Sequence, residues 1–278
     1  MRLGGPVFES YATPEEWVVS ARRLGYRADY CPLGVDADDA TIMSYRQAAF
    51  EADLVIAEVG AWSNPLSPDE GVRSQALEYN KASLLLAEKI GARCCVNISG
   101  SCGEKWDGPC ALDLTEETFG MIVDNVRDII DSVRPRQAFY TLETMPWLYP
   151  DSTESYLRLV KAIDRPAFGE HFDPVNLVCS PQRYFNNGAL IREFVAQLGK
   201  WIRSVHLKDI ILREQLTTHL DEVRPGLGGL DYGVLFTELK HLGADLPVML
   251  EHLPSAEEYH LAAMEVRNAA AWAGVELC

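Results

Sequence analysis

Residues 137–173 read QAFYTLETMPWLYPDSTESYLRLVKAIDRPAFGEHFD, with an apolar strand-like run at each end and a helical pattern between them. The same alternation continues along the whole chain without a break in composition. The other strand candidates are RLGGPVF (2–8), YRADYCPL (26–33), LVIAEVGAW (54–62), RCCVNISG (93–100), IRSVHLKDI (202–210) and LPVMLEHL (246–253). Eight strand-plus-helix units in fewer than 300 residues predict the α/β class and a closed (β/α)8 TIM barrel, formed by residues 1–278 as a single domain.

Helix starts are well marked at both ends of the chain. Thr13 supplies an N-cap hydroxyl before Pro14, and Glu16 stands three positions after the cap. Ser255 and Glu258 repeat the capping pattern before the last helix. Hydroxyl caps followed by glutamate, and proline at the first helical position, are typical of helix N-termini.

The helix after the fourth strand has one apolar stripe that is expected to pack on the barrel. Its members recur at spacings of three and four: Phe119, Ile122, Val123, Val126, Ile129, Ile130 and Val133. The stretch SPQRYFNNG, residues 180–188, interrupts the alternation. We expect this stretch to form a loop over the site.

Composition limits the classes of function. Hydrophobic residues make up 47% of the 278 residues, which is enough for a substantial core. The net charge of −16 repels nucleic-acid phosphates and anionic membranes, so neither is an expected partner. No signal-like segment and no apolar run near the roughly 18 residues of a membrane span occur, and the seven cysteines lack a disulfide or CxxC pattern. We therefore expect a cytoplasmic protein, and the sequence leaves homo-oligomerisation open.

Four metal-competent side chains stand near the ends of successive strand candidates: Glu143, Asp173, His206 and Glu251. The gaps of 30, 33 and 45 residues each fit one strand-plus-helix unit, so the four groups can meet at one end of a parallel sheet. Singly, each is more often a solvated charge, a helix cap or a packed histidine. Together at the ends of apolar strands they would need a partner, and a divalent cation satisfies all four.

Three carboxylates and one imidazole suit Mn²⁺, which we expect first, with Mg²⁺ or Co²⁺ as alternatives. Catalytic barrel sites lie at the carboxyl ends of the strands and keep open coordination positions. Glu143 and Glu251 then form a pair in which one removes a proton from a small substrate and the other returns it. An ion chelated by a carbonyl and its neighbouring hydroxyl stabilises an enediolate, the intermediate of aldose–ketose isomerisation and of epimerisation beside a ketone.

Several other side chains are candidate substrate contacts. His171 and Lys208 share strand faces with Asp173 and His206, because residues two apart in a strand point the same way. Lys208 has the alternative of a structural pair with Asp209. The remaining candidates are Asn176 after strand six, Glu58 and Asn97 at the ends of strands three and four, which could instead cap helices, and Trp62 and Trp147, which are walls for a sugar ring or core residues.

The chain resembles the xylose isomerase-like TIM-barrel superfamily of sugar phosphate isomerases and epimerases, and stands near the ketose 3-epimerases. The resemblance is carried by LET (142–144), FDPVN (172–176), VHLKD (205–209), PGLGGLDY (225–232) and MLEH (249–252) before SAEEY (255–259). It implies that Glu143, Asp173, His206 and Glu251 are the metal ligands and that the two glutamates transfer the proton. Two positions depart from the ketose 3-epimerase pattern: Asn176 replaces a histidine, and Lys208-Asp209 replaces an arginine-bearing segment.

The predicted function is a divalent-metal sugar isomerase or epimerase acting on a sugar or glycoside. The alternative is a metal-dependent lyase that cleaves C- or O-glycosides of 3-oxo-sugars by β-elimination, which begins with the same proton removal. An AP-endonuclease-like hydrolase fits less well, because Asn176 stands where a histidine is needed and the charge is −16. A non-catalytic sugar-binding subunit is disfavoured by the presence of all four ligands. The Pro225–Gly229 turn is a candidate phosphate nest, but the net charge favours an unphosphorylated substrate.

Overall fold

The computed structural model describes all 278 residues and forms a closed barrel of eight parallel strands surrounded by helices. The barrel strands are neighbours in the order in which they occur along the chain, and the last one closes on the first. The strands are β1 Arg2–Gly4, β2 Ala28–Tyr30, β3 Val55–Gly60, β4 Cys94–Asn97, β5 Phe139–Glu143, β6 Phe168–Phe172, β7 Ile202–Leu207 and β10 Pro247–Leu250. The prediction of a (β/α)8 TIM barrel is confirmed.

Helices follow every barrel strand, as the alternation predicts. They are α1 Pro14–Arg23, α2 Asp39–Glu51, α3 Glu70–Ile90, α4 Glu116–Val133, α5 Thr153–Ile163, α6 Pro181–Phe185, α7 Asn187–Leu198, α8 Tyr232–Leu239 and α9 Ala256–Trp272. The Thr13 and Ser255 hydroxyls accept hydrogen bonds from the backbone N–H groups of Glu16 and Glu258. Both predicted caps are therefore present.

The predicted stripe of α4 packs inward, with Phe119, Ile122, Val126 and Ile129 among its buried residues. One cluster of buried hydrophobic side chains runs along the chain from Met1 to Ala270. This continuity supports the prediction of a single domain over residues 1–278. No helix combines the length and apolar character needed to cross a membrane.

The expected loop at residues 180–188 is wrong, because most of this stretch is helical. Pro181 begins α6, and the Ser180 hydroxyl caps it by accepting from the backbone N–H of Arg183. The helix α7 begins at Asn187. None of these residues lines the main cavity, so the segment does not cover the site.

A hairpin that the sequence did not suggest follows β7. Its strands β8, Asp209–Arg213, and β9, His219–Val223, pair antiparallel as a separate two-stranded sheet. The run 202–210 was therefore two strands rather than one, since the chain leaves the barrel at Lys208. The hairpin brings Glu222 to the cavity.

Candidate metal centre

The carboxyl ends of four barrel strands bring Glu143, Asp173, His206 and Glu251 together. One potential ligand atom from each residue lies within 4.8 Å of those of the other three. The Nδ1 atom of His206 is 3.2 Å from Glu143 Oε1, 3.0 Å from Glu251 Oε1 and 3.9 Å from Asp173 Oδ2. The convergence that the spacing predicts is present.

Local hydrogen bonds aim two of the carboxylates. Asp173 directly follows β6, and its Oδ1 atom accepts from the backbone N–H groups of Val175 and Asn176. This bonding fixes the carboxylate at the strand end and leaves Oδ2 for the cluster. Glu143 is the last residue of β5, and its Oε1 atom accepts from the side-chain amide of Asn176 at 3.1 Å.

Lys208 supplies the positive charge beside these carboxylates. Its Nζ atom lies 2.6 Å from Asp173 Oδ2 and 2.5 Å from Glu251 Oε1, and its side chain is almost fully buried. Both oxygens are therefore ion-paired with Lys208, although neither accepts a hydrogen bond of regular geometry. The alternative of a structural pair between Lys208 and Asp209 is not formed, since the ammonium faces the cluster instead.

The donor set fits a divalent cation. Three buried carboxylates carry a large desolvation cost and repel one another, and Lys208 offsets this only in part, so a cation bound among the carboxylates and the imidazole would balance the remaining charge. Carboxylate oxygens with one histidine suit Mg²⁺, Mn²⁺ and Co²⁺ better than a closed thiolate site would. Glu143, Asp173, His206 and Glu251 are therefore the residues that could hold the metal.

The three carboxyl groups of the cluster differ in the direction of their pKa shifts. Burial raises the pKa of Asp173 to about 7, although Lys208 opposes the rise. Burial would also raise the pKa of Glu251, but His206 and Lys208 outweigh it and hold this pKa well below its usual range. The pKa of Glu143 is lowered as well, because His206 overcomes the effect of burial.

A second layer of polar residues lies beneath the cluster. The Glu58 carboxylate, on β3, lies at hydrogen-bonding distance from His171 Nε2 (2.9 Å) and His206 Nε2 (3.3 Å). It also contacts the Ser204 hydroxyl. All four residues are buried. Because Glu58 engages Nε2 of His206, the Nδ1 atom of that ring is turned toward the three cluster carboxylates.

A cavity of about 620 Å³ opens above the cluster. Glu143, His206 and Glu251 line it, whereas Asp173 does not. The walls come from the loops after the strands, namely Trp62 after β3, Lys105, Trp106 and Asp107 after β4, Met145, Pro146 and Trp147 after β5, and Asn176 after β6. The cavity thus has an ionic floor and a partly aromatic rim.

The candidate substrate contacts separate into two groups. Asn176, Lys208, Trp62 and Trp147 line the cavity, and the two tryptophans are too exposed to be core residues. Glu58, His171 and Asn97 do not line it. Asn97 is fully buried, and its side-chain amide donates hydrogen bonds to the Ser63 carbonyl and to Asn80 Oδ1. These bonds join β4 to the loop after β3 and to α3.

The candidate phosphate nest is filled by the protein itself. Both oxygens of Asp209 accept backbone N–H groups, with Gly226 and Gly228 at 3.0 Å on Oδ2 and Ile210 and Leu230 on Oδ1. Gly226 has φ of +92°, a conformation that side chains other than glycine's rarely adopt. The turn therefore binds an anion, but that anion is a carboxylate of the same chain.

Sequence reasoning missed part of the cavity wall. Lys105, Trp106 and Asp107 lie in an 18-residue connection between β4 and α4, and Glu222 and His252 lie on the opposite side near the cluster. His252 Nδ1 is 3.2 Å from Glu222 Oε2. A long connection at the carboxyl end of a barrel strand is itself a signal of a functional loop, and it could have identified the first three residues.

The chain belongs to the xylose isomerase-like TIM barrel family, which matches residues 20–270. No curated protein sequence gives a significant match. Membership of this family and the closed eight-stranded barrel agree with each other and with the resemblance carried by the strand-end motifs.

Solved structures share the fold over nearly the whole chain. The D-psicose 3-epimerase of Clostridium cellulolyticum H10, solved with D-tagatose, aligns with a TM-score of 0.71 and 13% identity, covering 99% of this chain and 100% of that one. A probable 3-DHS dehydratase of Bacillus anthracis gives 0.70 and 17%, covering 96% and 98%. A xylose isomerase-like protein of Mycobacterium smegmatis in complex with magnesium gives 0.65 and 17%, covering 93% and 90%. Epimerase and dehydratase chemistry thus occur on the same barrel.

Proposed function

We propose that the protein is a divalent-metal-dependent sugar isomerase or epimerase. The observation that carries the proposal is the placement of Glu143 and Glu251, two carboxylates from different strands that belong to the cluster and also line the cavity. Family membership and the ketose 3-epimerase fold support a sugar as the substrate.

The two glutamates are suited to proton transfer at a substrate carbon. Glu143 lies at the end of β5 and Glu251 follows β10, so a small molecule in the cavity would meet them from different sides. One glutamate accepts a proton from the carbon beside the carbonyl, and either the carboxyl group so formed or the other glutamate, after it takes a proton from solvent, returns a proton to the same or the adjacent carbon. A bound divalent ion would polarise the carbonyl and the neighbouring hydroxyl and so lower the cost of the enediolate.

Other cavity residues would hold the substrate in place. Lys208 offers a buried ammonium beside Glu251, and Asn176 has its amide directed to Glu143. We propose that these two groups contact substrate oxygens. Glu58 and His171 lie below the cavity, and we assign them to support of His206 rather than to substrate contact.

The proposal is tested by supplying Mn²⁺ and a panel of free ketoses in D₂O and following product and solvent exchange by NMR. An isomerase or epimerase returns the proton to carbon, so the product should carry deuterium at one carbon without losing a fragment. If no ketose exchanges a C–H proton under metal-saturating conditions, the proposed activity is wrong.

Elimination is the second candidate, because its first step is the same proton removal and a dehydratase shares the fold. On a 3-oxo-glycoside, the carbanion would expel its neighbouring substituent, releasing the aglycone and leaving an unsaturated sugar. Appearance of free aglycone in place of a deuterated epimer would assign the protein as a lyase.

A further inference from the structure

Three exposed tryptophans form one side of the cavity. Trp62, Trp106 and Trp147 are 43%, 36% and 39% exposed, and they are half of the six tryptophans in the chain. They follow β3, β4 and β5, which are consecutive strands of the barrel. The cluster ligands come from β5, β6, β7 and the end of β10, so the aromatic side of the rim adjoins the cluster.

The three indole rings are partly exposed, and two of them have contacts that fix their position. None of them pairs with another aromatic ring. The Trp147 N–H donates to the carbonyl of Asp107 at 3.0 Å, which ties the loop after β5 to the loop after β4. A side chain at position 60 would collide with the indole of Trp62, so Gly60 makes room for this ring.

Exposure of three large aromatic faces is unfavourable in water, and a ligand that covered them would recover hydrophobic and stacking free energy. A cavity of about 620 Å³ also falls within the range that accepts drug-sized molecules. A free ketose is small and bears hydroxyls on nearly every carbon, so it would cover only part of this surface. The wall is therefore larger and more apolar than a monosaccharide requires.

The charges of the cavity restrict the chemistry of the occupant. The acidic lining residues are Asp107, Glu143, Glu222 and Glu251, whereas the lysines are Lys105 and Lys208. Lys105 pairs with Asp107 at 3.0 Å, and Lys208 contacts the cluster carboxylates. Both lysine charges are already balanced, so an anionic group on the aromatic side would have no free cation to meet.

We propose that Trp62, Trp106 and Trp147 form a binding subsite for a flat, uncharged, apolar substituent carried by the sugar, as in an aryl glycoside. This subsite deepens the proposed function and rests on it for the position of the sugar, whose carbonyl end would lie at Glu143 and Glu251. The substituent would lie against the indole faces.

The test compares two inert glycosides that differ only in the substituent. Methyl β-D-glucopyranoside and 2-naphthyl β-D-glucopyranoside are titrated into the full chain with Mn²⁺ by calorimetry. We expect the naphthyl compound to bind at least about tenfold more tightly, since each stacked ring contributes about three- to tenfold. Trp62→Ala and Trp106→Ala should each remove about three- to tenfold of this preference, while Trp106→Phe should retain most of it.

Trp272→Ala is the matched control, because Trp272 is 92% exposed on α9 and does not line the cavity. Equal affinities for the two glycosides, no binding of either, or a preference that survives both alanine variants would overturn the subsite. Binding is measured without turnover, so it separates the two proposals. A naphthyl preference without proton exchange would retain the subsite and reject the proposed function. Proton exchange on free ketoses without a naphthyl preference would retain the proposed function and reject the subsite.

Discussion

Glu143 and Glu251 are the cluster carboxylates that reach the cavity, whereas Asp173 is enclosed. Replacing either glutamate with glutamine keeps the shape but removes the carboxylate that carries the proton in the proposed reaction. We expect Glu143→Gln and Glu251→Gln each to lower kcat by more than about a hundredfold. Steady-state assays with metal content measured in parallel check this, and Glu117→Gln, at an exposed position of α4 outside the cavity, serves as the control. Near wild-type activity in a metal-loaded variant would show that its glutamate is only a ligand.

Glu58 is the residue that orients His206 from below. Glutamine at this position cannot accept equally from both histidines, so the His206 ring would lose its fixed tautomer and direction. We expect Glu58→Gln to weaken Mn²⁺ binding by about ten- to a hundredfold, the usual cost of losing such a partner. Calorimetric titration of the metal measures it directly. Asp29→Asn is the control, since Asp29 is another buried barrel carboxylate that does not contact His206, and an unchanged affinity in Glu58→Gln would contradict the assignment.

At the scale of elements, β2 and α1 are joined by a buried carboxyl group. Asp29 accepts from the indole N–H of Trp17 at 2.7 Å and from the backbone N–H of Tyr30 at 2.8 Å. Burial nevertheless raises the pKa of Asp29 to about 7, from about 3.9 in an unfolded chain. The folded state therefore binds the Asp29 proton more tightly than the unfolded chain does. The contribution of this proton to the free energy of unfolding is complete below about pH 4 and is lost as the pH rises through 7.

Asp29→Asn should therefore remove a pH-dependent loss of stability. The amide cannot ionise but can still accept from Trp17. The free energy of unfolding of the variant minus that of wild type should increase by roughly 1–4 kcal/mol when the pH is raised from 5 to 8. Denaturant unfolding of both proteins at the two pH values measures the change, and a stability difference that does not vary with pH would contradict it.

The elements also show which features local sequence can predict. The eight barrel strands and the caps at Thr13 and Ser255 follow from apolar runs and capping residues, which act within a few positions of one another. The hairpin of β8 and β9 was missed because Ile210 continues an apolar run, while the break at Lys208 depends on contacts with Asp173 and Glu251 in distant strands. The polar composition of residues 180–188 predicts a loop and conceals the helix start at Ser180-Pro181.

The candidate site shows the same division. Strand-end positions predict the cluster, because the barrel places those positions together. The layer beneath it was not predicted, because a strand-end position does not specify how deep a side chain lies, and Glu58 and His171 contact each other inside the barrel rather than in the cavity. Strand-end placement alone made Glu58 and Asn97 look like cavity residues, whereas their partners lie inside the protein.

For the molecule as a whole, the net charge of −16 disfavours polyanionic substrates. The structure adds that Lys208 is engaged by carboxylates and that the glycine turn is occupied by Asp209. We expect kcat/KM to be higher for a free ketose than for its phosphate ester. Steady-state comparison of the two at fixed ionic strength decides the point, and a much higher value for the phosphate would move Lys208 into a phosphate site.

The Asp209 carboxylate occupies the anion-binding turn before α8, where it accepts backbone N–H groups. Replacing Asp209 with glycine would leave backbone N–H groups of Gly226, Gly228 and Leu230 without their acceptor, which is costly in a buried position. Such a variant should become a halide- or sulfate-dependent protein, with a Tm that rises on addition of these ions more steeply than that of wild type. Rescue of this kind would show that the Asp209 carboxylate, next to the candidate metal centre, acts as a bound anion that stabilises the rim of the barrel, and equal salt dependence in both proteins would contradict it.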